Sequence, residues 1–351
     1  MEPLTIGDLI AKVPVIQGGM GVGISRSSLA GAVAKAGGIG VISGAQVGYD
    51  EDDFETNTLE ANLRALKKHI VKAKEAAKSG IIGVNLMVAM NYYEEHAKAA
   101  IEAGVDLIIS GAGLPMQLPK IVKDSKVKIA PIVSTSKAAS VILKMWYRKD
   151  KTTADMIIVE GPKAGGHLGY SNDELGDIDA IDYDSEFVKI IDIAKEYGKK
   201  FDKDIPVIAA GGIFTGDDVL KYINMGGSGV QVGTKFVGTH ECDAALEFKM
   251  SYVNAKEEDV NIVKSPVGMP GRAITNNFIE SVKISRPAIT KCYNCLIPCN
   301  PKDTPYCISK ALINAAKGDI DDALLFCGSN AYKVDRLYSV DEVIQELTSK
   351  L

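Results

Sequence analysis

Short runs that are apolar on both faces alternate with longer amphipathic runs through the first two thirds of the chain. The short runs are Val13–Gln17, Ile39–Ser43, Ile81–Leu86, Asp106–Ser110, Val127–Val133, Asp155–Val159, Ile205–Ala209 and Gly229–Val232. Continuous apolar character over four to seven residues predicts strands of a parallel sheet covered on both faces. Helical spacing fits Ser27–Ala36, Leu59–Lys78, Tyr92–Ala103, Ser136–Tyr147, Ser185–Lys199 and Asp217–Met225. Glycines close several of them, at Gly37-Gly38, Gly80, Gly104 and Gly226-Gly227, as helix ends require.

Eight strands alternating with helices fit a doubly wound open sheet or a closed (β/α)8 barrel. Polar and glycine-rich residues follow nearly every strand: Gly18-Gly19-Met20, Asn85, Gly111-Ala112-Gly113, Ser134-Thr135-Ser136, Glu160-Gly161, Gly211-Gly212 and Gly233-Thr234. Barrels collect their active sites at that end from many strands. An open dinucleotide-binding sheet concentrates its glycines in one G-x-G-x-x-G turn. Gly18 to Gly23 lacks that spacing, so the α/β barrel is the expectation. Residues 1–260 are assigned to the barrel. Residues 261–351 form a C-terminal extension packed on it, with a cysteine-rich loop and a helical tail that includes Ser339–Leu347. Two acidic loops, Gly44–Thr58 and Tyr170–Asp184, are long enough to expect a functional role, the second by reshaping the substrate mouth.

Bulk properties narrow the setting. The 351 residues carry a formal net charge of −5, which offers no basic footprint for nucleic acid or anionic lipid. No apolar stretch is long enough to span a bilayer, and Met1–Lys12 lacks the apolar core of a signal peptide. A cytoplasmic protein with reduced thiols is expected.

Two glycine turns, Ala210-Gly211-Gly212-Ile213 and Gln231-Val232-Gly233-Thr234, follow the seventh and eighth strands. Glycine lets backbone N–H groups approach an anion, and barrels often place a phosphate on these two loops. The bland alternative is a pair of ordinary tight turns. After the sixth strand, Glu160-Gly161-Pro162-Lys163-Ala164-Gly165-Gly166-His167-Leu168-Gly169 presents one imidazole among glycines. Histidine suits proton transfer near neutral pH, so His167 is the candidate catalytic residue. His69 and His96 lie in Lys/Glu-rich helical segments and are expected to face solvent; His240 lies beyond the eighth strand. Gln17-Gly18-Gly19-Met20 and Asn85 suit a flat apolar ring with a polar rim, although Met20 can equally be core and Asn85 a strand-end cap.

These segments, with Ser110-Gly111-Ala112-Gly113 and later Arg272-Ala273-Ile274, occur in the order found in the nitronate monooxygenase (2-nitropropane dioxygenase-like) family, which the chain resembles over roughly Leu4 to Ala255. That family includes the flavin-dependent enoyl-ACP reductase II enzymes. The resemblance implies a TIM barrel with non-covalent FMN. It assigns the catalytic histidine to His167 and flavin contacts to Gly19, Met20, Asn85, Gly166, Gly212, Gln231, Gly233 and Thr234; Gly18 and Gly211, in the same glycine turns, join them as candidate cofactor-binding residues.

Four of the six cysteines fall in Cys292-Tyr293-Asn294-Cys295-Leu296-Ile297-Pro298-Cys299 and Cys307, which ordinary members of the family lack. The C-x2-C-x3-C-x7-C run can hold Zn²⁺ or a [4Fe–4S] cluster. It is similar to a run in the dienoyl-CoA reductase group of FMN barrels. Four reduced, partly buried thiols are the alternative.

Three functions are compatible with these residues. In the first, an FMN oxidoreductase of nitronate monooxygenase type oxidises alkyl nitronates with O2. In the second, NAD(P)H drives flavin reduction of an enoyl thioester or a quinone. The third is a non-redox phosphate-binding lyase or isomerase. Lys163 lies in a glycine loop rather than at a strand end, which disfavours a Schiff-base aldolase. A small-molecule or thioester substrate and a homodimer are expected.

Overall fold

The computed structural model describes residues Met1–Leu351. Eight parallel strands close into a barrel. They are β1 (Val15–Gln17), β2 (Ile39–Ser43), β3 (Ile81–Met87), β4 (Leu107–Gly111), β5 (Lys128–Val133), β6 (Ile157–Glu160), β7 (Val207–Ala210) and β8 (Gly229–Val232). Each pairs with the next, and β8 pairs back to β1 through Val230 and Val15. All eight fall on the apolar runs, within two residues at each end.

Side-chain alternation splits the core into two layers. Ile39 and Val41 point inward with Leu107, Ile109, Ile158 and Ile208 and fill the barrel. Their neighbours Ile42, Ile108 and Ile157 point outward beneath the helices. A strand buried on both faces must be apolar at both parities, which is why these runs show no period-two pattern. An N-terminal hairpin, Leu4–Ile6 with Leu9–Ala11, plugs the floor. Its Leu4, Ile6 and Ala11 join the interior layer.

The chain leaves the barrel after β8 and returns to it. Helix Leu246–Val253 is followed by strands Val260–Lys264 and Pro270–Ile274, a cysteine-bearing loop, helix Ile308–Lys317 and strand Leu325–Phe326. The final helix, Val340–Thr348, packs between Ser27–Lys35 and Gly216–Asn224. Its Val340, Val343, Ile344 and Leu347 belong to the same core as the outward faces of the strands. Buried Lys235 fixes it there, bonded to the Phe214 carbonyl and paired with Glu346. Strand Pro270–Ile274 also pairs antiparallel with Gly166–His167. The excursion therefore grips the loop that carries the candidate histidine.

Two expectations are corrected. His69 and His96 are buried, not solvent-facing. Helix Thr58–Ala77 turns His69 toward Ser27–Lys35, where Nδ1 meets Ser27 Oγ at 2.9 Å. His96 Nδ1 meets the Tyr92 carbonyl at 2.7 Å. Lys and Glu neighbours cover the opposite helical face and masked both positions in the sequence. Loop Tyr170–Asp184 does not reach the main cavity. It folds on itself instead, with a capping box between Ser171 and Glu174 and a small apolar cluster of Leu168, Tyr170 and Leu175.

Candidate active site

A cavity of about 630 Å³ opens at the carboxyl ends of the strands. Gly18, Gly19, Met20, Asn85, Gly166, His167, Gly211, Gly212, Gln231, Gly233 and Thr234 all line it. Residues spread over more than 200 positions thus meet on one surface, because parallel strands end on the same side of a barrel.

The turn after β7 needs glycine. Gly211 has φ +92, and a Cβ there would stand 2.9 Å from both the Gly161 carbonyl oxygen and the Ala164 nitrogen. Those are backbone atoms of the His167 loop, which cannot yield. Thr215 then caps helix Gly216–Asn224 in a box with Asp218. At β1, Gly19 is required by a different contact: a Cβ would lie 2.4 Å from Asn85 Cβ. The pair Gly19–Asn85 is therefore fitted face to face across β1 and β3.

Sequence reasoning missed the loop Cys327-Gly328-Ser329-Asn330, which lines the same cavity from the excursion. The Gly328 N–H donates to Thr234 Oγ1 at 3.2 Å. Asn330 Nδ2 donates to the Gly212 carbonyl at 2.7 Å. Ser329 N–H donates to the Lys163 carbonyl at 3.2 Å. One loop therefore ties the two glycine turns to the His167 segment. Its only local signal is a Gly-Ser-Asn turn, far from any barrel strand.

His167 Nε2 lies 2.6 Å from Ser265 Oγ, and Phe326 packs edge-on against the ring at 5.0 Å. Ser265 is buried and comes from the excursion. Burial lowers the imidazole pKa to about 4, because a desolvated cation is disfavoured. His167 is neutral at pH 7. Glu160, at the end of β6, also lines the cavity. Burial pushes its carboxyl up to about 7. No hydrogen bond or salt bridge engages that carboxylate, since only its backbone carbonyl accepts, from Tyr170.

Cys292 and Cys295 line the cavity, whereas Cys299 and Cys307 do not. Nowhere in the chain do three His, Cys, Asp or Glu side chains gather closely enough to share one ion. The expectation that these four thiolates hold Zn²⁺ or a [4Fe–4S] cluster is not supported by that arrangement. No helix is long and apolar enough to cross a membrane.

A closed (β/α)8 barrel with glycine turns after β7 and β8 and an imidazole loop after β6 around one cavity has the layout of a barrel enzyme. The chain belongs to the nitronate monooxygenase family, whose model matches residues 4–350. That family is one of FMN-dependent oxidoreductases. A probable nitronate monooxygenase of Staphylococcus aureus (strain Newman) is 29% identical over 297 residues, covering 78% of each chain. FabK from Thermotoga maritima shares the fold with a TM-score of 0.71 at 23% identity, over 97% of this chain and 93% of that one. A nitroalkane oxidase from Streptomyces ansochromogenes matches with a TM-score of 0.71 at 19% identity, over 97% and 95%.

The residues present fit the family's flavin. Gln231 Oε1 and Ser329 Oγ are shielded from solvent and have no hydrogen-bond partner in the protein. Each such group costs about 1–3 kcal/mol unless something pairs with it. Both residues line the cavity, so a polar ligand there would satisfy them.

Proposed function

We propose that this chain oxidises alkyl nitronates with O2 at an FMN held in the barrel cavity. The single observation that carries this reading is the neutral His167 held against Ser265 on the cavity wall. A base with a pKa of about 4 is poorly matched to removing a proton from a weak carbon acid. A nitronate arrives already deprotonated and makes no such demand. If Ser265 donates to Nε2, the ring proton resides on Nδ1. That N–H can then donate to a nitronate oxygen. The excursion strand sets the ring's position, and Phe326 limits its rotation.

Gly211, Gly212, Gly233 and Thr234 would hold the flavin phosphate. Met20, Asn85 and Gln231 would face the ring system. When bound, FMN supplies the acceptor for substrate electrons and passes them to O2. Glycine turns bring backbone N–H groups close to the phosphate, and Asn330 braces one turn through the Gly212 carbonyl.

The test is O2 consumption by FMN-loaded protein given a series of alkyl nitronates without NAD(P)H. Nitronate-dependent uptake is expected. No uptake with any of them would overturn the reading.

A specific feature favours a second reading, NAD(P)H-driven reduction of an enoyl thioester. Glu160, with its pKa near 7, is a better proton donor than neutral His167. Met87, Met90, Leu296 and Leu312 give the cavity an apolar wall for an acyl chain. Bleaching of the flavin by NAD(P)H and its recovery with a crotonyl thioester would select this reading over the first.

A further inference from the structure

FMN carries a phosphate that the glycine turns can hydrogen-bond but cannot neutralise. The cavity-lining N–H groups of Gly211, Gly212, Ile213 and Gly233 donate to no acceptor in the protein. Free backbone donors on neighbouring turns suit an anion. A phosphate monoester, however, brings a charge of about −1.5 to −2 at neutral pH. Helix Gly216–Asn224 begins just beyond the first turn, but its leading donors serve its own side chain. The Phe214 and Thr215 N–H groups donate to Asp218 at 2.9 and 2.8 Å. The phosphate charge has to be met by another group.

Lys163 is the only lysine or arginine on the cavity wall. Its side chain lies along the turn after β7: a Cβ on Gly212 would stand 2.9 Å from Lys163 Cβ and 3.3 Å from its Cδ. The Lys163 backbone is fixed from the excursion, because its carbonyl accepts the Ser329 N–H at 3.2 Å. Asn330, the next residue of that loop, donates to the Gly212 carbonyl at 2.7 Å. Two consecutive residues thus clamp the lysine and the glycine turn together. Ser329 Oγ, which has no partner of its own, lines the same cavity.

The Lys163 ammonium is also uncommitted. The lysines that follow the two turns are both engaged: Lys221 pairs with Asp184 at 2.7 Å, and Lys235 with Glu346. Lys163 borders a second, smaller cavity of about 330 Å³ behind the turn, where Asp179, Asp182 and Asp184 stand. It forms an ion pair with none of them, nor with Glu160 at the end of β6. A lysine beside free backbone donors is an arrangement that a phosphate completes, with the ammonium acting as a point charge. We propose that Lys163 is the charge partner of the flavin phosphate, and that its charge makes the cavity select FMN over unphosphorylated flavin. The proposal rests on FMN being the ligand of this cavity. It stands whether the substrate is a nitronate or an enoyl thioester.

FMN and riboflavin are titrated separately into the flavin-free full chain, with flavin fluorescence as the readout. The wild-type protein is expected to bind FMN at least about tenfold more tightly than riboflavin. Lys163→Gln should lose FMN affinity by about tenfold or more and keep its riboflavin affinity, which reports an intact site. Lys163→Arg should retain the preference for FMN. Added salt should weaken FMN binding more steeply in the wild-type protein than in Lys163→Gln. Lys221→Gln alters a lysine already paired and should leave both affinities unchanged. An unchanged ratio of FMN to riboflavin affinity in Lys163→Gln would overturn the proposal. So would an equal loss of FMN affinity in Lys221→Gln, or a wild-type protein that binds both flavins equally. A wild-type protein that takes up neither flavin would overturn FMN as the ligand, and this role of Lys163 with it.

Discussion

The glycine cradle and the cysteine cover face each other across one cavity and are held in opposite ways. In the cradle, Ala210 and Gln231 pair in register at adjacent strand ends, and the turns beyond them are braced by Thr234 and Asn330. In the cover, which is the cysteine-bearing loop, the chain docks by a few backbone bonds, apolar contacts and side-chain pairs such as Lys291 with Glu55. Strand ends supply a rigid platform at no extra cost, because the barrel ladder already fixes them. A long loop has no such support. The difference teaches that the cradle is held by the barrel ladder itself, while the cover is held only by its docking contacts. His167 lies on the seam. It follows β6 but is paired to the excursion through Gly271.

The sharpest break in this comparison is at the seam. His167→Ala should cut turnover by about 10²–10³, the loss that follows removal of one positioned hydrogen-bond donor, and leave FMN bound. Steady-state rates and flavin content check it, and unchanged turnover would make the histidine structural. The acid limb of the wild-type profile should fall near pH 4, not at the ordinary histidine value of 6.5, because burial favours the neutral ring.

Glu160 tests the cavity's desolvation. Its folded pKa, about 7, lies above the ordinary 4.5. The protonated form therefore contributes stability that is fully present below about 4.5 and lost as pH rises through about 7. Partial contact with the cavity's solvent reduces this to on the order of 2 kcal/mol. Glu160→Gln should flatten the decline of the apo-protein's Tm between pH 5 and pH 8. Parallel curves for the two proteins would contradict it.

The cradle and the cover should separate in flavin affinity. A Cβ at Gly233 would meet only the flexible Met20 side chain, 3.3 Å away, so Gly233→Val should fold. It should weaken FMN binding by about tenfold, or about 1.4 kcal/mol, by blocking backbone approach to the phosphate. Cys299→Ala, in the cover, should leave that Kd unchanged. Equal effects from both would dissolve the distinction. The smallest expected change is Asn330→Ala, which removes the brace on Gly212 and should cost about 1 kcal/mol in FMN affinity. Titration of apo-protein by flavin fluorescence measures both.

Local pattern alone marked out the eight strands and most of the helices. An apolar run such as Ile205–Ala209 followed by Gly211-Gly212 states both the strand and its special end within a few residues. The same locality made the cradle and His167 legible, since each lies directly after its strand. His69 and His96 were misjudged because a mixed helical face does not reveal which neighbour will cover it. The N-terminal plug escaped notice because strands of three residues carry too little period.

By itself, the sequence determined the barrel and the face on which its chemistry gathers, because both are repeated consequences of strand, turn and helix. Only the tertiary structure decided that Ser265 would meet His167 and that Ser329 and Asn330 would close the cradle. It also decided that Val340–Thr348 would return between the first and seventh barrel helices. The side-chain pairings span 98 positions for His167 with Ser265 and 118 for Asn330 with Gly212. No local periodicity encodes contacts at that separation. They are fixed by which buried surfaces remain to be covered once the barrel has closed.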